Sequence, residues 1–197
     1  MVILGIDPGS ITTGYAFLQV DGNEFSVLQY GVLHVSASDA LENRLLKIVT
    51  GLEELLEKYH PQALAMEGVF FAKNAKSALV LGHIRGAILV ACRKRGMTFN
   101  EYPPSLVKQA VTGDGSASKE HVANMVFARL GIEPGDLPLD ASDALAIALT
   151  HATPAPLAVA LGGKRSATRK KKKPSVQQWK ALIEKMGGTV QIGRAHV

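Results

Sequence analysis

A single cysteine, Cys92, stands in the 197-residue chain, so no intrachain disulfide framework is available. The six histidines, at 34, 60, 83, 121, 151 and 196, show no spacing that builds a zinc site. No run approaches the roughly eighteen apolar residues of a membrane span, and the opening MVILGIDPGS has neither the basic flank nor the long apolar stretch of a signal peptide. A reducing, cytoplasmic setting without membrane insertion is expected. Aromatics make up only 6% of the chain, yet 47% of it is hydrophobic, enough for one packed core of ordinary size and hardly for two. No internal repeat is visible.

Positive charge is scarce until the end. Residues 1–163 hold 12 Lys and Arg against 16 Asp and Glu, whereas residues 164–197 hold 10 against 1. The block Lys164, Arg165 and Arg169 to Lys173 has no apolar content and cannot fold alone, so it is either a solvated linker or an arm that collects phosphates. Val176, Trp179, Leu182, Ile183 and Met186 then recur at helical spacing. The expected organisation is a folded domain over 1–155, a basic flexible linker over 156–174, and a short amphipathic helix and tail over 175–197. The last six residues, IGRAHV (192–197), resemble the translation of a sequencing-library adapter and enter no functional argument.

Within the first domain the pattern predicts strands over 2–6, 13–20 and 24–35, a helix over 39–59, a strand over 63–66, and a helix over 75–95. A strand over 98–102 and helices over 105–111, 119–130 and 140–150 follow. Three meandering strands followed by alternating strands and helices describe an α/β fold, a mixed β-sheet with helices on both faces.

Acids stand where that sheet opens. Asp7 and Glu67 end apolar strands and sit at strand carboxyl ends, where open α/β sheets bind ligands. Asp140 and Asp143, three residues apart, share a face at the start of a helix whose continuation, ALAIAL, is apolar all round and must be buried. Asp7 could be a turn residue, Glu67 a surface acid, and Asp140 with Asp143 a capping box. Four acids on adjacent buried elements are better explained by divalent cations, magnesium or manganese rather than zinc, because the donors are all oxygen. Two such ions suit hydrolysis of a nucleic-acid backbone.

The blocks GIDPGSITTGYAF, AMEGVFFAKNAKSALVLGHIRGA, VKQAVTGDGSASK and LPLDASDALAIALTHA, in that order over residues 1–152, resemble the signature blocks of the RuvC family of Holliday-junction resolvases. The resemblance implies a ribonuclease H-like fold and a homodimer. It also implies a magnesium-dependent endonuclease, manganese substituting and two ions per site, that resolves four-way DNA junctions by paired nicks in recombination and repair. A branch-migration helicase complex is the implied partner. It assigns the catalytic and metal-binding roles to Asp7, Glu67, Asp140 and Asp143, a base-stacking role to Phe70, and roles near the scissile phosphate to Lys108 and Lys119. Phe71 and Lys73, beside Phe70, join the expected DNA-binding set. Ile11 and Ala16 depart from the Arg and Gly of many relatives, and Gly68 from a frequent Gln, which touches sequence preference rather than metal. Two other classes compete: a non-catalytic binder of branched DNA, which would lack an acid or a lysine, and an actin-like ATPase, for which the chain is too short. The small residues Ala78, Gly82 and Gly86, with Leu79, Ile84 and Val90, make the 75–95 helix the candidate dimer interface.

Overall fold

The computed structural model describes residues 1–68, 75–132 and 138–153. The strands are β1 (Val2–Asp7), β2 (Thr12–Asp21), β3 (Glu24–His34), β4 (Ala63–Glu67) and β5 (Thr98–Tyr102). The helices are α1 (Leu41–Tyr59), α2 (Ala75–Lys94), α3 (Pro104–Thr112), α4 (Lys119–Leu130) and α5 (Leu139–Ala152). Each expected element is present, with ends moved by one or two residues. The expected linker over 156–174 and the helix over 175–197 lie outside the described residues.

The sheet order is β3-β2-β1-β4-β5. The first three strands pair antiparallel, and Gly22, at φ +59°, supplies the left-handed residue that the tight turn between β2 and β3 requires. β4 then joins β1 in parallel through α1, and β5 joins β4 in parallel through α2. The chain leaves α1 through His60 in the left-handed conformation, whose amide closes on the Leu56 carbonyl. Pro104 opens α3, and the Ser118 hydroxyl caps α4 by accepting from the His121 amide.

Alternation along the strands divides the core between the two faces. Ile3, Ala16, Leu18, Ala63 and Ala65 pack with α5 and with Val107, Val111, Val122 and Val126 of α3 and α4. Leu4, Ile6, Phe17, Leu64 and Met66 pack with Ile48, Leu52 and Leu56 of α1 and Ile84, Ile88 and Cys92 of α2. Helices therefore cover both faces, and the expectation that α5 is buried holds through Ala144–Thr150. By length and composition alone α2 could cross a membrane, contrary to the expectation that no segment comes near this; one side of it is committed to the sheet, and Arg85 lies mid-helix.

Two glycines let α5 lie on the sheet without intervening side chains. A β-carbon at Gly5 would enter the carbonyl oxygen of Ala144, and one at Gly14 would enter the carbonyl oxygen of Asp140. Gly14→Ala must therefore push the first turn of α5 off β2. We expect a loss of about 1–3 kcal/mol in stability, or about 2–4 °C in melting temperature per kcal/mol, measured by denaturant and thermal unfolding. An unchanged midpoint would show that α5 can shift freely.

Candidate functional site

Period-two alternation decides where the strand-end acids point. On β1 the odd positions face α5, as Ile3 and Gly5 show, and on β4 Ala63 and Ala65 do the same. Asp7 and Glu67 continue those two series. The register pairs Ile6 with Met66, so the two acids stand one residue further on adjacent parallel strands, whose axes are about 5 Å apart. Both thus leave the sheet on the side of α5, at its carboxyl edge.

The first turn of α5 meets them there. Pro138 is the N-cap residue, and no side chain caps the helix, so neither Asp140 nor Asp143 is spent on a capping box. Asp7, Glu67 and Asp143 line one cleft of about 340 Å³ together with Lys108 of α3 and Lys119 of α4, over an apolar wall of Val107, Val122, Ala146 and Ile147. Asp140 is not part of the lining, yet its charge bears on Asp7. The structure thus brings together six of the expected site residues, with Asp140 at the margin. Phe70, Phe71 and Lys73 lie outside the described residues.

The electrostatics are strained in one direction. Burial, and then the charges of Asp143, Glu67 and Asp140, push the Asp7 carboxyl from 3.8 up to about 7, against a smaller opposing effect of Lys119. Glu67 is raised as well, first by burial and then by Asp143, with Lys119, Arg85 and Lys108 acting the other way. Asp143 has a partner: Lys119 Nζ lies 3.0 Å from its Oδ2. That pair is half open to solvent and worth little by itself, but it raises the Lys119 pKa and places one cation among the acids.

The donor set fits hard divalent cations. All candidate ligands are carboxylates, and the cleft carries an excess of negative charge that a proton on Asp7 or a further cation relieves. Among the described residues no three acids already stand as a closed ligand cage. Magnesium needs none, since it keeps several waters and is commonly held by one or two carboxylates. A second cleft of about 290 Å³, at the far end of the sheet between Leu56, His60 and Arg95, has no acid cluster, and Arg95 is already paired with Glu57.

Sequence reasoning assigned no role to two arginines beside this edge. Arg44 of α1 donates to the Ser10 carbonyl at 2.9 Å, just beyond Asp7, and Arg85 of α2 donates to the Glu67 carbonyl at 2.5 Å. Neither position carries a spacing signal; each becomes visible only when the helices are packed against the strand ends.

Residues 3–151 match the family model described as crossover junction endodeoxyribonuclease RuvC. A protein of that name from Ruminiclostridium cellulolyticum is 42% identical over 84% of this chain and 99% of its own length. Another from Vibrio atlanticus is 43% identical over 86% of this chain and 96% of its own. The structure of T. thermophilus RuvC in complex with a Holliday junction substrate superposes with a TM-score of 0.73 at 38% identity, covering 77% of this chain and 93% of that one.

The crowded acids make stability depend on pH. Folded Asp7 keeps its proton to about pH 7, whereas the unfolded carboxyl loses it near 3.8. Between those values the folded state binds more protons, so the Asp7 contribution to stability falls as pH rises and levels off above about 7. The melting temperature of metal-free protein is expected to drop from pH 5 to pH 8, and divalent cation at pH 8 to recover most of the loss. Asp7→Asn should flatten the profile and melt higher at pH 8. A pH-independent melting curve for the wild type would refute the crowding.

Proposed function

Because the chain belongs to the RuvC family of crossover junction endodeoxyribonucleases, we propose that the cleft between α5 and the ends of β1 and β4 hydrolyses phosphodiester bonds of four-way DNA junctions. The protein is a metal-dependent, structure-specific nuclease with a ribonuclease H-like sheet. The observation that carries the assignment of the site is the convergence of Asp7, Glu67 and Asp143 with Lys108 and Lys119 in one cleft.

Asp7, Glu67, Asp140 and Asp143 would hold the ions, two of magnesium per site with manganese as a substitute. Bound there, the ions supply the Lewis acidity that lets water attack the phosphodiester and that steadies the leaving oxygen. Lys119 and Lys108 face the same space, and each can set a positive charge against the oxygens of the scissile phosphate as negative charge develops on them. Lys119 Nζ donates to Asp143 Oδ2 at 3.0 Å, so the same side chain that offsets the charge of a carboxylate that would hold metal also lines the space a phosphate would enter. The apolar wall lowers the local dielectric and strengthens each of these interactions. Phe70, three residues beyond Glu67, is the proposed stacking partner for a base at the junction centre, with Phe71 and Lys73 beside it.

Resolution by symmetric nicks calls for two identical sites related by a two-fold axis, and α2 offers the surface for it. Leu79 and Val90 are 65% and 60% exposed, and a β-carbon at Gly82 or Gly86 would meet nothing within 4 Å. Ile84, expected in that stripe, is instead fully buried against the sheet, because it lies on the opposite side of the helix from Gly82 and Gly86. The proposed dimer face is Leu79, Gly82, Gly86 and Val90. By family membership a branch-migration helicase complex is the proposed partner on the junction.

Asp7→Asn, Glu67→Gln and Asp143→Asn should each abolish cleavage of an immobile four-way junction in magnesium while leaving junction affinity intact, because affinity comes mainly from cations meeting phosphates. The assay compares the junction with a linear duplex of the same sequence, with magnesium and with chelator. Cleavage within a few-fold of wild type in any of the three removes that residue from the site; a wild type that binds but never cuts is a branched-DNA binder. Sedimentation at micromolar concentration should give a dimer, and Gly86→Arg a monomer that folds and loses paired nicking. A wild-type monomer with and without junction would sink the paired mechanism.

A further inference from the structure

Arg85 occupies an unusual place for a cation. It follows the core residue Ile84 on α2, its side chain is only 13% exposed, and it reaches the carboxyl edge of the sheet from the face opposite α5. Taking a guanidinium that far from water is costly unless its donors are satisfied. Its Nη1 donates to the Glu67 carbonyl oxygen at 2.5 Å, and its Nη2 is paired with the Glu101 carboxylate. Glu101 lies on β5 opposite Met66, so a single fork ties the ends of β4 and β5 together.

The tie falls where the strand needs it. Paired register between β1 and β4 ends at Ile6 and Met66, and the last backbone link on the other side is the Gly68 amide donating to the Tyr102 carbonyl at 2.7 Å. Glu67 is thus the last residue of β4, at the point where the strand leaves the sheet, and Arg85 supplies a donor to its carbonyl there. A peptide plane fixed at Glu67 also fixes the direction of its Cα–Cβ bond. Arg44 makes the comparable contact with the Ser10 carbonyl beyond Asp7.

We propose that Arg85 is a positioning residue for cleavage: anchored on Glu101, it holds the main chain of Glu67 so that the carboxylate points at the metal, and it acts through the backbone rather than by touching substrate. This rests on the reading of Glu67 as a metal ligand. Two features separate it from a surface ion pair that merely adds stability. The hydrogen bond at the Glu67 end goes to a backbone carbonyl, while the Arg85 charge, which also bears on the Glu67 carboxylate, is one that lysine would keep; and the fork needs two donors in fixed geometry, which arginine has and lysine lacks.

The test is calorimetric titration of the metal-free 197-residue chain with Mn²⁺, for wild type, Arg85→Gln, Arg85→Lys, Glu101→Gln and Glu67→Gln, with melting temperature and metal-free junction affinity recorded for each. Loss of an outer partner of a metal ligand commonly weakens binding about tenfold to a hundredfold, and Arg85→Gln should fall in that range. Arg85→Lys should keep the charge and the fold yet still lose about tenfold, and Glu101→Gln, which leaves an acceptor for the fork, should lose least. Cleavage by Arg85→Lys should recover towards wild type at saturating Mn²⁺, with the half-saturating concentration shifted and junction affinity within about twofold. If Arg85→Gln does not fold, Arg85→Lys decides alone. Wild-type Mn²⁺ affinity in a folded Arg85 variant, or a loss that only tracks the drop in melting temperature, overturns the proposal. Should Glu67→Gln itself bind Mn²⁺ like the wild type, it is the ligand reading of Glu67 that fails; if Glu67→Gln loses the metal while both Arg85 variants keep it, only the positioning role fails.

Discussion

At Gly5 and Gly14 the backbone of α5 rests directly on β1 and β2, with no side chain between them. This contact sets the geometry of the acidic edge, because it fixes how far the first turn of α5 stands above the ends of the central strands. A β-carbon at either glycine lifts the helix, and Asp140 and Asp143 rise with it. Ala144 and Ala148 of α5 serve the same close approach at Gly5, and the burial of the helix beyond its first turn leaves the two carboxylates at its start. The positive end of the helix dipole faces those carboxylates and offsets part of their mutual repulsion.

Burial of the acids, and after it their mutual repulsion, is nonetheless the dominant feature of the cleft. Protein folds avoid clustering half-buried carboxylates unless something returns the lost hydration, and here Asp7 is held so far from its ordinary ionisation that it is neutral over much of the acidic range. The lysines relieve this only in part. The geometry of the acidic edge therefore rests on packing at a distance: α5 on its glycines, Arg85 on the backbone at the end of β4, and Arg44 on the Ser10 carbonyl in the loop beyond β1.

Much of this was readable from the chain before folding. The apolar runs of VILGID and ALAME already place Asp7 and Glu67 at strand carboxyl ends, and LDASDALAIAL announces a buried helix with acids at its entrance. What could not be read are contacts that depend on the angle between elements. The clash of Gly14 with Asp140 joins residues from distant parts of the chain, Lys119 finds Asp143 only when α4 lies beside α5, and Ile84 sits among small residues at helical spacing yet turns inward. Arg85 is the clearest case. Its role is set by the end of a strand ladder, and no local pattern on α2 signals that end.

The order of the elements has a consequence for biosynthesis. Asp7 is in the first strand and Asp143 in the last described helix, with Glu67 between them on a strand that joins the sheet only through a crossover. A chain emerging from the ribosome has its first acid long before its last, and no fragment short of α5 carries the full set. Because α5 is also the element that seals one half of the core, completing the fold and bringing Asp143 into the cleft of Asp7 and Glu67 are the same event. On the proposed assignment, a fragment that lacks α5 is short of two of the four acids, Asp140 and Asp143.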